Sequence, residues 1–121
     1  MNMTTNIRQV GGVTIVDVCG RIVLGEESAA LRNLTSNLMS KGQRRILFNL
    51  AEVNYIDSAG LGSLVAAFTS VRKQKGELKL LKLTNKVYDV MQITKLYTVF
   101  DLMNDETEGV KSFAQSTVAA A

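Results

Sequence analysis

Two short runs near the start of the chain, residues 6–10 and 13–19, read as strands joined through Gly11-Gly12, a pair suited to a hairpin turn. The second, Val13-Thr14-Ile15-Val16-Asp17-Val18-Cys19, is rich in β-branched residues, which favour strands. Gly20-Arg21-Ile22-Val23-Leu24 then leads into a predicted helix from Glu26 to Lys41. Its first turn is acidic, Ala30, Leu31, Leu34 and Leu38 form a stripe, and Gly42 stands just past its end. Residues 45–50 are apolar on both faces and predict a central strand. The best-defined periodicity follows over 58–75, where Leu61, Leu64, Val65, Phe68 and Val71 make one continuous helical face that Gly76 terminates. Residues 78–83 predict a fourth strand, and Thr84 caps a short helix with Val87, Val90 and Met91 inward. Tyr97-Thr98-Val99-Phe100 reads as a fifth, shorter strand. Asn104 to Glu108 opens a last helix carrying Val110 and Phe113, and Gln115 to Ala121 reads as a frayed tail.

Strand–helix alternation from the third strand onward implies parallel pairing, and the opening hairpin must add antiparallel strands. The expected fold is a single α/β domain: a mixed sheet of about five strands with about four helices packed mainly on one face. At 121 residues, 46% apolar and 21% charged, the chain suits one globular domain. Its apolar runs fall far short of the roughly 18 residues needed to cross a bilayer. No basic segment followed by an apolar stretch opens the sequence, so the cytoplasm is the expected location.

Zero histidines exclude a Ser-His-Asp or Cys-His arrangement and a histidine zinc site. The lone cysteine, Cys19, lies in an apolar strand pattern and is expected as a buried free thiol. A net charge of +3 invites a nucleic-acid reading, but its distribution opposes it. Arg72, Lys73 and Lys75 close the helix over 58–75, while Lys79, Lys82, Arg44 and Arg45 read as solvated strand positions, with no aromatics interleaved for base stacking. Met39, Met91 and Met103 read as core filler, and Glu26, Glu27 and the acids of 105–108 as solvated first-turn residues.

Chemistry concentrates in Asp57-Ser58-Ala59-Gly60-Leu61-Gly62, where a strand passes into the best-defined helix. Asp57 and Ser58 both suit an N-cap, which accounts for about 1 kcal/mol over alanine. Capping does not require Gly60 or Gly62, each of which costs a helix about 0.5–1 kcal/mol relative to alanine. Both glycines are therefore expected near the surface, keeping it open to another protein or to a bulky group on Ser58. Helix-mouth amides and the helix dipole suit a phosphorylated hydroxyl there. Gly60-Leu61-Gly62-Ser63 superficially resembles a phosphate-binding loop but lacks the P-loop lysine. Ser28, Ser36, Ser40 and Ser63 have no such context and are expected as solvated hydroxyls.

With Gly20-Arg21-Ile22, the strand 45–50, residues 76–83 and Val99-Phe100-Asp101, this signature resembles a STAS-domain anti-sigma factor antagonist over roughly residues 6–114. The resemblance implies a bacterial partner-switching protein that catalyses nothing and needs no cofactor. Unphosphorylated, it would bind an anti-sigma factor that is also an ATP-dependent serine kinase. Phosphorylation at Ser58 would release it, and a PP2C-type phosphatase would reset it. Asp57, Ser58, Ala59, Gly60, Leu61 and Gly62 would form the partner-binding surface. Within the same fold, the alternative is a STAS scaffold or accessory subunit of a stressosome-like or lipid-transporter assembly, docking through the same helix face.

Overall fold

The computed structural model describes the backbone over residues 3–120 and side chains over residues 3–113. The elements are β1 (Met3–Val10), β2 (Val13–Ile22), α1 (Glu26–Ser40), β3 (Arg45–Ile56), α2 (Ser58–Lys73), β4 (Glu77–Leu81), α3 (Asn85–Thr94), β5 (Leu102–Met103) and α4 (Glu106–Ala120). They build a five-stranded sheet in the order β1-β2-β3-β4-β5. Only the β1–β2 pairing is antiparallel among the described strands; β3, β4 and β5 are added in parallel. Gly11 and Gly12 turn the hairpin at φ 57° and 80°, the left-handed conformations that a two-residue connection demands.

Helices α1, α2 and α3 cover one face of the sheet, where Val16, Val18, Phe48, Leu50, Leu64 and Leu80 join the main core. Helix α4 covers part of the opposite face, packing Phe113 and Val110 on Val13, Ile15, Leu47 and Leu81. Strand β3 is central, and over Ile46, Leu47 and Phe48 it is buried on both faces because helices lie on both sides of it there. Its N-terminal half is the run read from sequence, and it continues to Ile56 because Val53 and Ile56 go on burying side chains past an irregularity opposite Asp17 and Cys19.

Several expectations need correction. The fifth strand is Leu102–Met103, paired with Leu80 and Leu81, and residues 97–100 do not form it. Leu96–Thr98 is a 3₁₀ turn entered through Lys95 at φ 63°, and it delivers the buried Phe100 edge-on to Phe68 at 5.2 Å. Cys19 is exposed: it shares its face of β2 with Ile15 and Asp17 but lies beyond the patch α4 covers. Lys79 is only 7% exposed. Its ammonium donates to Ser112 Oγ at 2.9 Å, lies 3.9 Å from the Asp101 carboxylate and sits 4.8 Å from the Phe113 ring centroid, so α4 supplies its hydrogen-bond partner and its cover. Ser28 and Ser63 are buried, while Ala30 of the proposed α1 stripe is exposed. Glu106 bonds Arg8, which also grips Asp17, tying α4 to the hairpin. The backbone of α4 is helical through Ala120, and Ala121 lies outside the described residues.

Candidate functional site

Strand β3 ends on Ile56, whose buried side chain anchors the chain as it leaves the sheet. Asp57 follows with extended backbone, φ −102° and ψ −177°, the conformation of an N-cap. Its two carboxylate oxygens do different jobs. Oδ1 accepts from the Gly60 amide at 2.8 Å and caps α2; Oδ2 accepts from the Leu24 amide at 3.0 Å and reaches the loop joining β2 to α1. The Asp57 amide in turn donates to the Ile22 carbonyl at 3.3 Å. The amides of Gly60 first and Leu24 second hold the Asp57 carboxyl below the usual carboxylate range, so it is ionised at neutral pH.

Ser58 is the first residue of α2 and is exposed, and its hydroxyl has no hydrogen-bond partner among the described residues. Asp57 performs the capping, which leaves the serine oxygen available at the positive end of a helix of 16 residues. Ala59 is half-buried and Gly62 exposed, with open space where a Cβ would stand.

The structure separates the two glycines and corrects the expectation for Gly60. It is buried, and a Cβ there would lie 2.0 Å from the Ile22 carbonyl oxygen. No side chain fits between α2 and the end of β2, so Gly60 allows the two backbones to touch. Leu61 is buried too, its side chain in the core and its amide donating to the Asp57 carbonyl at 2.9 Å. Of the six residues singled out, Asp57, Ser58, Ala59 and Gly62 thus face outward, and Gly60 and Leu61 hold them from beneath. Ser63 belongs to that support: its hydroxyl donates to the Ala59 carbonyl at 3.1 Å and accepts from Arg32 Nη1 at 3.0 Å, pinning α1 against α2.

Sequence reasoning missed the far side of the site. Leu24 is 75% exposed beside Asp57, and Tyr55 is exposed with the Arg21 guanidinium 5.0 Å from its ring centroid. The signal available was an apolar residue, Leu24, stranded between a strand and the acidic start of a helix. The surface is open rather than concave, and a groove of about 400 Å³ bounded by Phe68, Arg72 and Asp101 lies at the other end of α2. No group of three or more His, Cys, Asp or Glu side chains among the described residues is placed to hold a metal ion. No helix among them is long and apolar enough to cross a membrane.

The chain is similar to known proteins along most of its length. Residues 4–109 match the STAS domain model. The chain is 30% identical over 111 residues to the anti-sigma-B factor antagonist of Bacillus subtilis, a match covering 92% of this chain and 100% of that protein. It is 40% identical over 60 residues to the anti-sigma-B factor antagonist of Listeria monocytogenes, covering 50% of this chain and 53% of that relative, so that the match spans about half the relative's length. In three dimensions it resembles the Bacillus cell fate determinant SpoIIAA in its phosphorylated form, with a TM-score of 0.70 at 16% identity over 91% of this chain and 99% of that one.

Proposed function

Because the chain belongs to the STAS domain family, with anti-sigma factor antagonists as its relatives, we propose that it is a cytoplasmic partner switch controlled at Ser58. It is a regulatory binding protein rather than an enzyme. Unphosphorylated, it binds an anti-sigma factor that is also an ATP-dependent serine kinase, and the bound regulator lets go of its sigma factor. The kinase transfers the γ-phosphoryl group of ATP to the Ser58 oxygen; the hydroxyl proton is lost, ADP leaves, and the antagonist is released. A PP2C-type phosphatase returns the serine by hydrolysis.

The observation that carries this reading is an exposed Ser58 hydroxyl with no hydrogen-bond partner among the described residues, at the mouth of a helix that Asp57 already caps. A phosphate there adds about −1.5 to −2 charges and several strong acceptors. In the free domain the amides of the first α2 turn and the helix dipole tolerate it. Against a closely docked partner the same charge, with ionised Asp57 beside it, loses its water. A penalty of about 4 kcal/mol weakens binding roughly a thousandfold, enough for release.

The test uses the cognate anti-sigma factor serine kinase. Incubation with kinase and ATP should add one phosphate, mapped to Ser58 by mass spectrometry. Ser58→Ala should bind the kinase and stay bound when ATP is supplied; Ser58→Glu should fold and fail to bind. A phosphate elsewhere, or Ser58→Glu binding as tightly as wild type, would hand the surface to the passive STAS-subunit alternative.

A further inference from the structure

We infer that Asp57 is a positioning residue for Leu24, and that Leu24, displayed on the β2–α1 loop, is a second contact for the partner that docks at Ser58. The inference rests on the proposed function for the partner's identity, and on independent geometry for the contact. Leu24 is 75% exposed, and its neighbour Gly25 turns the loop into α1 at φ 111° with nothing within 4 Å of a built Cβ. A large aliphatic side chain held at that exposure gains nothing for the fold, and an apolar group beside a docking surface is the kind of residue that fills a partner's pocket.

What makes Leu24 more than a stray surface residue is that the loop is held. The Leu24 amide donates to Asp57 Oδ2 at 3.0 Å, the Asp57 amide donates to the Ile22 carbonyl, and that carbonyl presses on Gly60. On the other side the Ser28 amide donates to the Val23 carbonyl at 3.2 Å and the Ser28 hydroxyl to the Gly25 carbonyl at 3.2 Å. The loop therefore presents Leu24 in a fixed place next to Ser58, so little ordering entropy remains to be lost when a partner closes on it. The occupant is the anti-sigma factor kinase, through an apolar pocket adjoining the groups that reach Ser58.

The chemistry of Asp57 separates its two jobs. A carboxylate accepts hydrogen bonds on both oxygens, while an asparagine amide has only one acceptor oxygen. Asp57→Asn keeps a good N-cap for α2 but cannot also accept from Leu24. In the partner-free protein, amide hydrogen exchange should then quicken at Leu24 by tenfold or more while the α2 amides stay protected. Equal protection of Leu24 in wild type and variant would overturn the tether. Calorimetric titration with the same kinase, without ATP, supplies the second arm. Leu24→Ala should weaken binding about tenfold or more with an unchanged melting temperature, and Asp57→Asn should weaken wild type but add little to Leu24→Ala. Leu24→Ala binding like wild type, or the two losses multiplying in full, would overturn the inference while leaving the Ser58 switch standing. Wild type failing to bind the kinase at all would overturn the switch and this contact with it.

Discussion

Replacing Gly60 with alanine should cost the domain about 2–3 kcal/mol, and the same change two residues later should stabilise it. At Gly60 the added carbon would sit 2.0 Å from the Ile22 carbonyl oxygen and 2.7 Å from its carbon, where ordinary contact begins near 3.4 Å. The obstacle is backbone, so no rotamer relieves it, and the end of β2 must withdraw from α2 by roughly 1 Å or more. Overpacking of this kind costs about 1–3 kcal/mol. Withdrawal also weakens the bonds from the Asp57 amide to Ile22 and from the Leu24 amide to Asp57, each contributing about 1 kcal/mol. Alanine's better helix propensity returns just under about 1 kcal/mol. Gly62 meets nothing within 4 Å, so only the propensity gain of about 0.5–1 kcal/mol applies there. Urea titration of the unphosphorylated protein measures both. For a domain of this size a loss of about 2–3 kcal/mol also lowers the melting temperature by roughly 10 °C. Gly60→Ala within about 0.5 kcal/mol of wild type, or Gly62→Ala as the more damaging change, would refute the close approach of β2 and α2. The larger Gly62→Val should fold and bind the kinase poorly, assigning that glycine to the interface.

Phe68→Ala should cost about 2 kcal/mol in the same titration, less than a fully buried phenylalanine, because Phe68 is half-buried and its main partners are the Phe100 ring and the Arg72 guanidinium; a loss below about 0.5 kcal/mol would mean that the Phe68–Phe100 contact does not bear on the core. Acid should expose the Arg8 clamp: hydrogen bonds from Arg8 hold the Asp17 and Glu106 carboxyls below their usual range, so the unfolded chain takes up more protons as the pH falls. Their contribution is complete above about pH 5 and is lost as the pH drops through the lowered folded values, so urea midpoints should fall across that window and Arg8→Ala should flatten the decline. A variant whose acid profile runs parallel to wild type would dismiss the clamp.

The fold was legible where one periodicity acts alone. The α2 stripe, the Thr84 cap and the Gly11-Gly12 turn each follow from local rules that the tertiary structure leaves intact. Legibility failed where a second layer decides. Lys79 reads as a solvated strand cation until α4, distant in sequence, lays Ser112 and Phe113 over it. Cys19 reads as buried because its strand is apolar, yet burial depends on how far α4 extends across the sheet. Residues 97–100 satisfy strand propensity, but the open sheet edge at Leu80 and Leu81 is taken by Leu102 and Met103. At the site, sequence picked out six residues and could not divide them, because whether a glycine serves surface or packing depends on what faces it. Nothing local to Gly60 announces the Ile22 carbonyl.

That division bears on how a phosphate would act. If Gly60 and Gly62 both served an open surface, a group on Ser58 could rearrange a pliable first turn. The observed arrangement is stiff: Asp57 bonds to Gly60 and Leu24, Gly60 lies flush on Ile22, and Ser63 locks Ala59 toward α1 through Arg32. Ser58 projects from this rigid platform without belonging to it. On the proposed reading, phosphorylation would therefore change what the surface carries while leaving its shape, and the penalty would fall on the complex rather than on the domain. A phosphorylated protein with the melting temperature of the unmodified one, yet no measurable affinity for the kinase, is the signature of that design. A large shift in melting temperature on phosphorylation would instead place the switch inside the domain.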